Sequence, residues 1–126
     1  ENYNHMVRNL SRYESFLSFV KVLPKAHPSP FGVPITVKKN LLFDRKDLVG
    51  FLESRKIHTR PVFGGNLVRQ PMFKGLNYST PYPLIGSDYV MNNTFWIGCH
   101  PALTQCHLNY VLEAFEDFFN GYSITS

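Results

Sequence analysis

The chain has 126 residues, of which 44% are hydrophobic and 17% charged, and carries a net charge of +4. That length and balance describe one globular domain with its own core and exclude an intrinsically disordered tail. No apolar run approaches the ~20 residues of a membrane-spanning helix, and no basic start followed by an apolar stretch marks a signal peptide. The expectation is a cytoplasmic chain with no membrane partner.

Met6, Leu10, Tyr13, Leu17 and Val20 recur at helical spacing, which predicts an amphipathic first helix ending before Pro24. The chain opens at Glu1 directly into this pattern, so residues 1–126 are expected to form a single domain at the tail of a longer polypeptide. Lys25 to Pro30 contains two prolines and reads as a connector. Phe31 to Val37 is short and β-branched, a strand in which Pro34 favours an edge or irregular position. Asp44, with Asp47 three residues later, is expected to cap a second helix whose apolar face is Leu48, Phe51 and Leu52. Ile57 to Phe63 predicts a second strand, broken by Gly64-Gly65-Asn66. From there to Gly86 the chain is rich in Gly, Pro, Asn and Tyr, a long loop of the sort that often carries function. A helical turn is expected at Asp88 to Asn92 and a third strand at Thr94 to Gly98. Thr104 then begins a last helix with the face Leu108, Val111, Leu112, Phe115, Phe118 and Phe119, closed by Gly121. The sum is an α+β domain, about three strands with helices packed on one face.

All 13 basic residues lie within the first 74, an asymmetry that suits an anionic ligand or simply a solvated face. A nucleic-acid module would add clustered Lys/Arg and a recognised aromatic motif, and neither is present. Cys99, His100, Cys106 and His107 have no common zinc spacing, and two cysteines are too few for a disulfide scaffold, so no metal site is expected. His58 reads as a strand residue, Trp96 as core, and Tyr78 and Tyr82 as nucleotide-stacking or dimer-surface residues.

The most informative segment is TRPVFGGNLVRQPMF, Thr59 to Phe73. Gly64 and Gly65 remove side chains where a ligand or second backbone comes close. Arg60 and Arg69 have the planar fork that matches phosphate or carboxylate oxygens, while Asn66 and Gln70 both donate and accept. Phe63 and Phe73 can wall a pocket. The composition fits an anionic, hydroxyl-rich ligand and, equally, a plain strand-to-loop turn with surface arginines.

This run, with SPFGVPITV before it and NNTFWIGCHPALT after it, resembles the C-terminal part of the DegT/DnrJ/EryC1/StrS sugar aminotransferase family, within it the nucleotide-sugar 3-dehydratase branch. The resemblance extends from the first helix to Phe119. It implies the small C-terminal domain of the aspartate-aminotransferase architecture (pyridoxal-phosphate fold type I) in a homodimeric enzyme. It further implies a large domain that binds pyridoxal or pyridoxamine phosphate and holds the catalytic residues, none of which fall in this chain. Lys38, Lys39, Lys56 and Lys74 match no cofactor-lysine motif. The implied substrate is a nucleotide-linked 4-keto-6-deoxysugar of lipopolysaccharide O-antigen biosynthesis. Arg60, Gly64, Gly65, Asn66, Arg69 and Gln70 fall on the branch's motif and are the implied substrate contacts. A nucleotide-sugar aminotransferase of the same family and a non-catalytic oligomerisation domain stay open. As part of a two-domain enzyme, the chain is expected to leave Met6, Phe63, Met72, Phe73, Tyr78 and Tyr82 only partly buried.

Overall fold

The computed structural model describes residues 1–122. Eight elements run in the order α1 (Asn2–Leu10), β1 (Leu17–Phe19), β2 (Gly32–Val37), α2 (Arg45–Ser54), β3 (Thr59–Pro61), α3 (Ile85–Asn93), β4 (Thr94–Gly98) and α4 (Gln105–Gly121). Short 3-10 turns at Ser11–Tyr13, Leu67–Arg69 and Pro71–Phe73 punctuate them. The strands form one antiparallel sheet in the order β1-β2-β4-β3. The α+β class therefore stands, with four strands instead of about three.

The extra strand comes from a segment whose spacing predicted helix. α1 stops at Leu10, and residues 17–19 instead pair with β2, Leu17 opposite Val37 and Phe19 opposite Ile35. Leu17 is fully buried there. The helical stripe and the strand both place Leu17 inside, so periodicity alone cannot separate them. Pairing with β2 gives the backbone partners that a free helix end would lack.

β2 is interior, which leaves Pro34 to be explained. Lys38 N–H donates to the Phe16 carbonyl, so the even-numbered residues of β2 point their backbone groups toward β1. Thr36 pairs with Ser18, and Pro34 would face the next position along, beyond the end of β1 at Phe19. The missing N–H thus falls where no partner strand runs.

The same alternation sorts the side chains. Val33, Ile35 and Val37 of β2 and Phe95 and Ile97 of β4 are buried on one face, joined there by Met6 and Leu10 of α1, Leu48 and Leu52 of α2, and Leu108, Phe115 and Phe119 of α4. Tyr13 stacks on Phe119 with ring centroids 3.9 Å apart, and Phe43 meets Phe118 edge-on at 5.0 Å. Met6 lies in this core, 1% exposed, and is not a half-covered surface residue as expected, because it shares with Leu10 the face of α1 that packs into the core. Trp96 corrects the opposite way: between inward Phe95 and Ile97, the two-residue strand period turns it to the other face, where it is half-buried and meets Phe31 edge-on at 5.1 Å.

Asp44 caps α2 with a reciprocal box: its Oδ1 accepts from Lys46 N at 2.6 Å and Asp47 N at 3.1 Å, while Asp47 Oδ2 accepts from Asp44 N at 2.8 Å. Thr104 and His107 form the corresponding box at α4. Arg12 pairs with Glu116 at 3.2 Å, and Arg55 pairs with Asp117, so part of the basic first half is matched by the acidic last helix.

Candidate functional site

Leaving β3, the chain turns sharply. Phe63 has φ +42°, Gly65 φ +58°, and Gly65 N–H closes a turn onto the Val62 carbonyl at 2.8 Å. Gly65 needs glycine twice over: its φ is left-handed, and a Cβ would stand 2.4 Å from the Met91 Cγ of α3. Asn66 then caps the turn Leu67–Arg69, its Oδ1 accepting from Val68 N at 3.3 Å, and Pro71 opens the next turn. Gln70 reaches back to donate from Nε2 to the Gly64 carbonyl at 2.6 Å, tying together the two ends of the loop.

Asp88, in the first turn of α3, organises the remainder. Its Oδ1 accepts from Asn66 Nδ2 at 2.8 Å and from Arg69 Nε at 3.1 Å, and its Oδ2 accepts from Arg69 Nη2 at 2.9 Å. These charge-assisted bonds, Arg69 first and Asn66 next, hold the Asp88 carboxyl below its ordinary range and raise the Arg69 guanidinium further. The structure therefore gathers Gly64, Gly65, Asn66, Arg69 and Gln70 into one braced loop. Arg60 is apart from it: on β3 it lies opposite Trp96, exposed on the open face of the sheet. Asn66 is 3% exposed with both ends of its amide engaged, so it shapes the loop from beneath.

Asp88 is the member that sequence reading did not single out. Its partners are 19 and 22 residues away, beyond any local spacing rule. One signal was available: it is the only acid between Glu53 and Glu113, in a stretch that contains Arg55, Arg60 and Arg69.

Two hollows flank this loop. A small one of about 250 Å³ lies beside Arg69 and Asp88, with Tyr78, Thr80 and Leu84 in its wall. The larger, about 430 Å³, is an apolar groove on the open face of the sheet between Phe31, Pro34, Trp96, Val62 and Phe63 on one side and Leu23 on the other. Neither is lined by a lysine, and the walls of the large groove carry no charged side chain.

Cys99, His100 and His107 each bond to nearby backbone. Cys99 is buried with its thiol on the Pro30 carbonyl at 3.2 Å, which burial accompanies with a raised pKa. His100 Nδ1 accepts from Ala102 N, and His107 Nδ1 accepts from Thr104 N. Among the described residues no group of three or more His, Cys, Asp or Glu is placed to hold a metal ion, and no helix is long and apolar enough to cross a membrane. His58 is exposed, its Nδ1 3.5 Å from Glu53.

Comparison with known proteins gives this geometry its setting. Residues 1–116 match the model of the DegT/DnrJ/EryC1/StrS aminotransferase family. Over 118 residues the chain is 43% identical to the lipopolysaccharide biosynthesis protein RfbH of Salmonella typhimurium, covering 94% of this chain and 27% of that protein. Over 95 residues it is 43% identical to the dTDP-4-dehydro-2,6-dideoxy-D-glucose 3-dehydratase of Saccharopolyspora spinosa, covering 75% of this chain and 21% of that protein. The chain thus spans about a quarter of the length of the curated relatives it matches. Among solved structures, an E. coli GDP-4-keto-6-deoxy-D-mannose-3-dehydratase with bound hydrated pyridoxal phosphate superposes with a TM-score of 0.76 at 23% identity, covering 90% of this chain and 28% of that one. An aminotransferase from Psychrobacter cryohalolentis superposes with a TM-score of 0.81 at 13% identity, covering 95% of this chain and 33% of that one. The fold is therefore that of pyridoxal-phosphate fold type I enzymes, and the chain belongs to the DegT/DnrJ/EryC1/StrS aminotransferase family.

Proposed function

We propose that this chain is the C-terminal, substrate-side domain of a pyridoxal- or pyridoxamine-phosphate-dependent enzyme that removes the 3-hydroxyl of a nucleotide-linked 4-keto-6-deoxysugar, in the cytoplasmic supply of deoxysugars for lipopolysaccharide O-antigen. The observation that carries the reading is the 43% identity to a relative named as a sugar 3-dehydratase, alongside equal identity to a lipopolysaccharide biosynthesis protein. In the family the cofactor supplies an electron sink for bond breaking next to the 4-keto carbon, and it is bound by parts of the enzyme outside these residues.

The role of this domain is to receive the substrate. Arg60 and Arg69 contact diphosphate oxygens, Gln70 contacts the sugar, and Gly64 and Gly65 give the backbone close approach, with Asn66 supporting the loop. The open apolar face around Trp96 and Phe63 is covered by the rest of the homodimeric enzyme; an exposed patch of this kind marks an interaction surface.

The test is product analysis with the whole enzyme, its cofactor and an amino donor, offered GDP-, CDP- and dTDP-linked 4-keto-6-deoxyhexoses in turn. Loss of the 3-hydroxyl with the 4-keto group retained is the expected result. Replacement of the 4-keto oxygen by an amine would make it an aminotransferase, and no conversion of any of the three would overturn the reading.

A further inference from the structure

One side chain touches both a proposed substrate contact, Arg69, and Asn66, the residue that supports its loop, and it has no role in the proposed function so far. Asp88 accepts from both Asn66 and Arg69, and it does so from a fixed platform. The C-terminal end of its helix is held from two sides: Arg45 Nη1 donates to the Met91 carbonyl at 3.3 Å and the Thr94 carbonyl at 3.2 Å, and the Met91 side chain packs on Gly65. The carboxylate meets the guanidinium side-on, through Nε and Nη2. That leaves the Nη1 edge of Arg69 with no partner among the described residues, on a side chain that is 56% exposed.

We propose that Asp88 is the positioning residue of this loop: it fixes Arg69 in one rotamer with the Nη1 edge outward, and through Asn66 it fixes the turn that carries Arg69. An arginine already ordered loses less freedom when it binds a phosphate, so the loop meets its ligand preorganised. The inference rests on the reading of Arg69 as a diphosphate contact. It also makes a prediction opposite in sign to simple electrostatics. A carboxylate beside an anion site repels the anion, so on charge alone its removal tightens binding; on the positioning account its removal weakens binding.

The experiment titrates the whole enzyme with GDP, CDP and dTDP by calorimetry, and follows the nucleotide that binds the wild type through Arg69→Ala, Asp88→Asn and the double variant. Arg69→Ala is expected to weaken binding about tenfold or more, the size of one charge-assisted hydrogen bond. Asp88→Asn is expected to weaken it several-fold, and the double variant to bind no worse than Arg69→Ala alone, because Asp88 acts only through its partners. Unchanged or tighter binding by Asp88→Asn, or additive losses in the double variant, would overturn the positioning role while leaving Arg69 as a contact. Unchanged binding by Arg69→Ala, or no binding by the wild type, would sink the functional reading and this inference together. Should Asp88→Asn fail to fold by circular dichroism, Asp88→Glu keeps the charge and displaces it by one methylene; it too is expected to bind several-fold more weakly, and wild-type affinity there would overturn the proposal.

Discussion

Gly65 and Met91 pack so closely that a methyl group on the glycine would sit 2.4 Å from the methionine Cγ and 2.7 Å from its Cβ. This contact joins the loop after β3 to α3, and the left-handed φ of Gly65 sets the direction in which the loop leaves. Gly65→Ala combines a steric clash with the penalty of an L side chain at positive φ. It is expected to destabilise the chain by about 2 kcal/mol or more, read as a lowered urea midpoint. Gly50→Ala is the control, at a helical glycine with open space where a Cβ would go, and is expected to be neutral or stabilising.

Two carboxylates contribute to the acid limb of stability. Arg69 and Asn66 hold Asp88 below the usual range, and the Thr59 N–H and hydroxyl, at 2.6 and 2.9 Å, do the same for Glu53. Both folded values lie below the unfolded ones, so the native state binds fewer protons in the window between them. The stabilisation is complete above the unfolded values near 4 and is lost as pH falls through the depressed values. Urea unfolding at pH 7 and pH 3 should show a smaller loss in the Glu53→Gln/Asp88→Asn double variant than in the wild type. An equal loss would mean that these bonds do not persist in solution.

Phe119 is the hub of the aromatic cluster, in contact with Tyr13, Phe16, Phe43 and Phe118 and fully buried. Phe119→Ala is expected to cost about 3–5 kcal/mol. Tyr110→Ala, half-exposed on the same helix, should cost much less despite the hydrogen bond from its hydroxyl to the Arg55 carbonyl. Thermal or chemical denaturation of the two variants side by side checks the ranking.

Phe63 presents an aromatic ring to solvent, 80% exposed, from a backbone with φ +42° that disfavours bulky residues. Asn tolerates that backbone better, so Phe63→Asn should leave stability within about 0.5 kcal/mol of wild type or slightly above it. The same change removes one wall of the open groove. Binding of a hydrophobic dye such as anilinonaphthalene sulfonate should fall, and unchanged fluorescence would show that the groove is not the dye's site.

The boundaries that sequence made plain are those with local chemistry. The Asp44/Asp47 box, the apolar stripe of α4 and the alternation in β2 each arise from neighbours in the chain. β1 was hidden because Leu17 is inward on either a helix or a strand, and only the partner strand decides between them. Trp96 was misplaced for want of the strand's phase: once Phe95 and Ile97 face the core, Trp96 faces the other way. At the candidate site the glycine turn and the polar residues were legible as a loop with ligand chemistry. The brace that organises them was not, since Asp88 lies on a separate helix, 19 and 22 residues along the chain from its partners. The sequence also pooled Arg60 with Arg69, which the structure separates onto a strand and a turn.

Both margins of the sheet are short. β1 and β3 have three residues each, and β3 ends in Pro61, which has no N–H to offer, beside an exposed Arg60. Edges of this kind are poor templates for a further strand from another molecule. Clustering of this domain on its own would then proceed through the apolar groove, side chain against side chain, and would dissolve on dilution or with mild detergent. Growth strand by strand from the native sheet would find few free backbone groups, and none on the N–H side of Pro61.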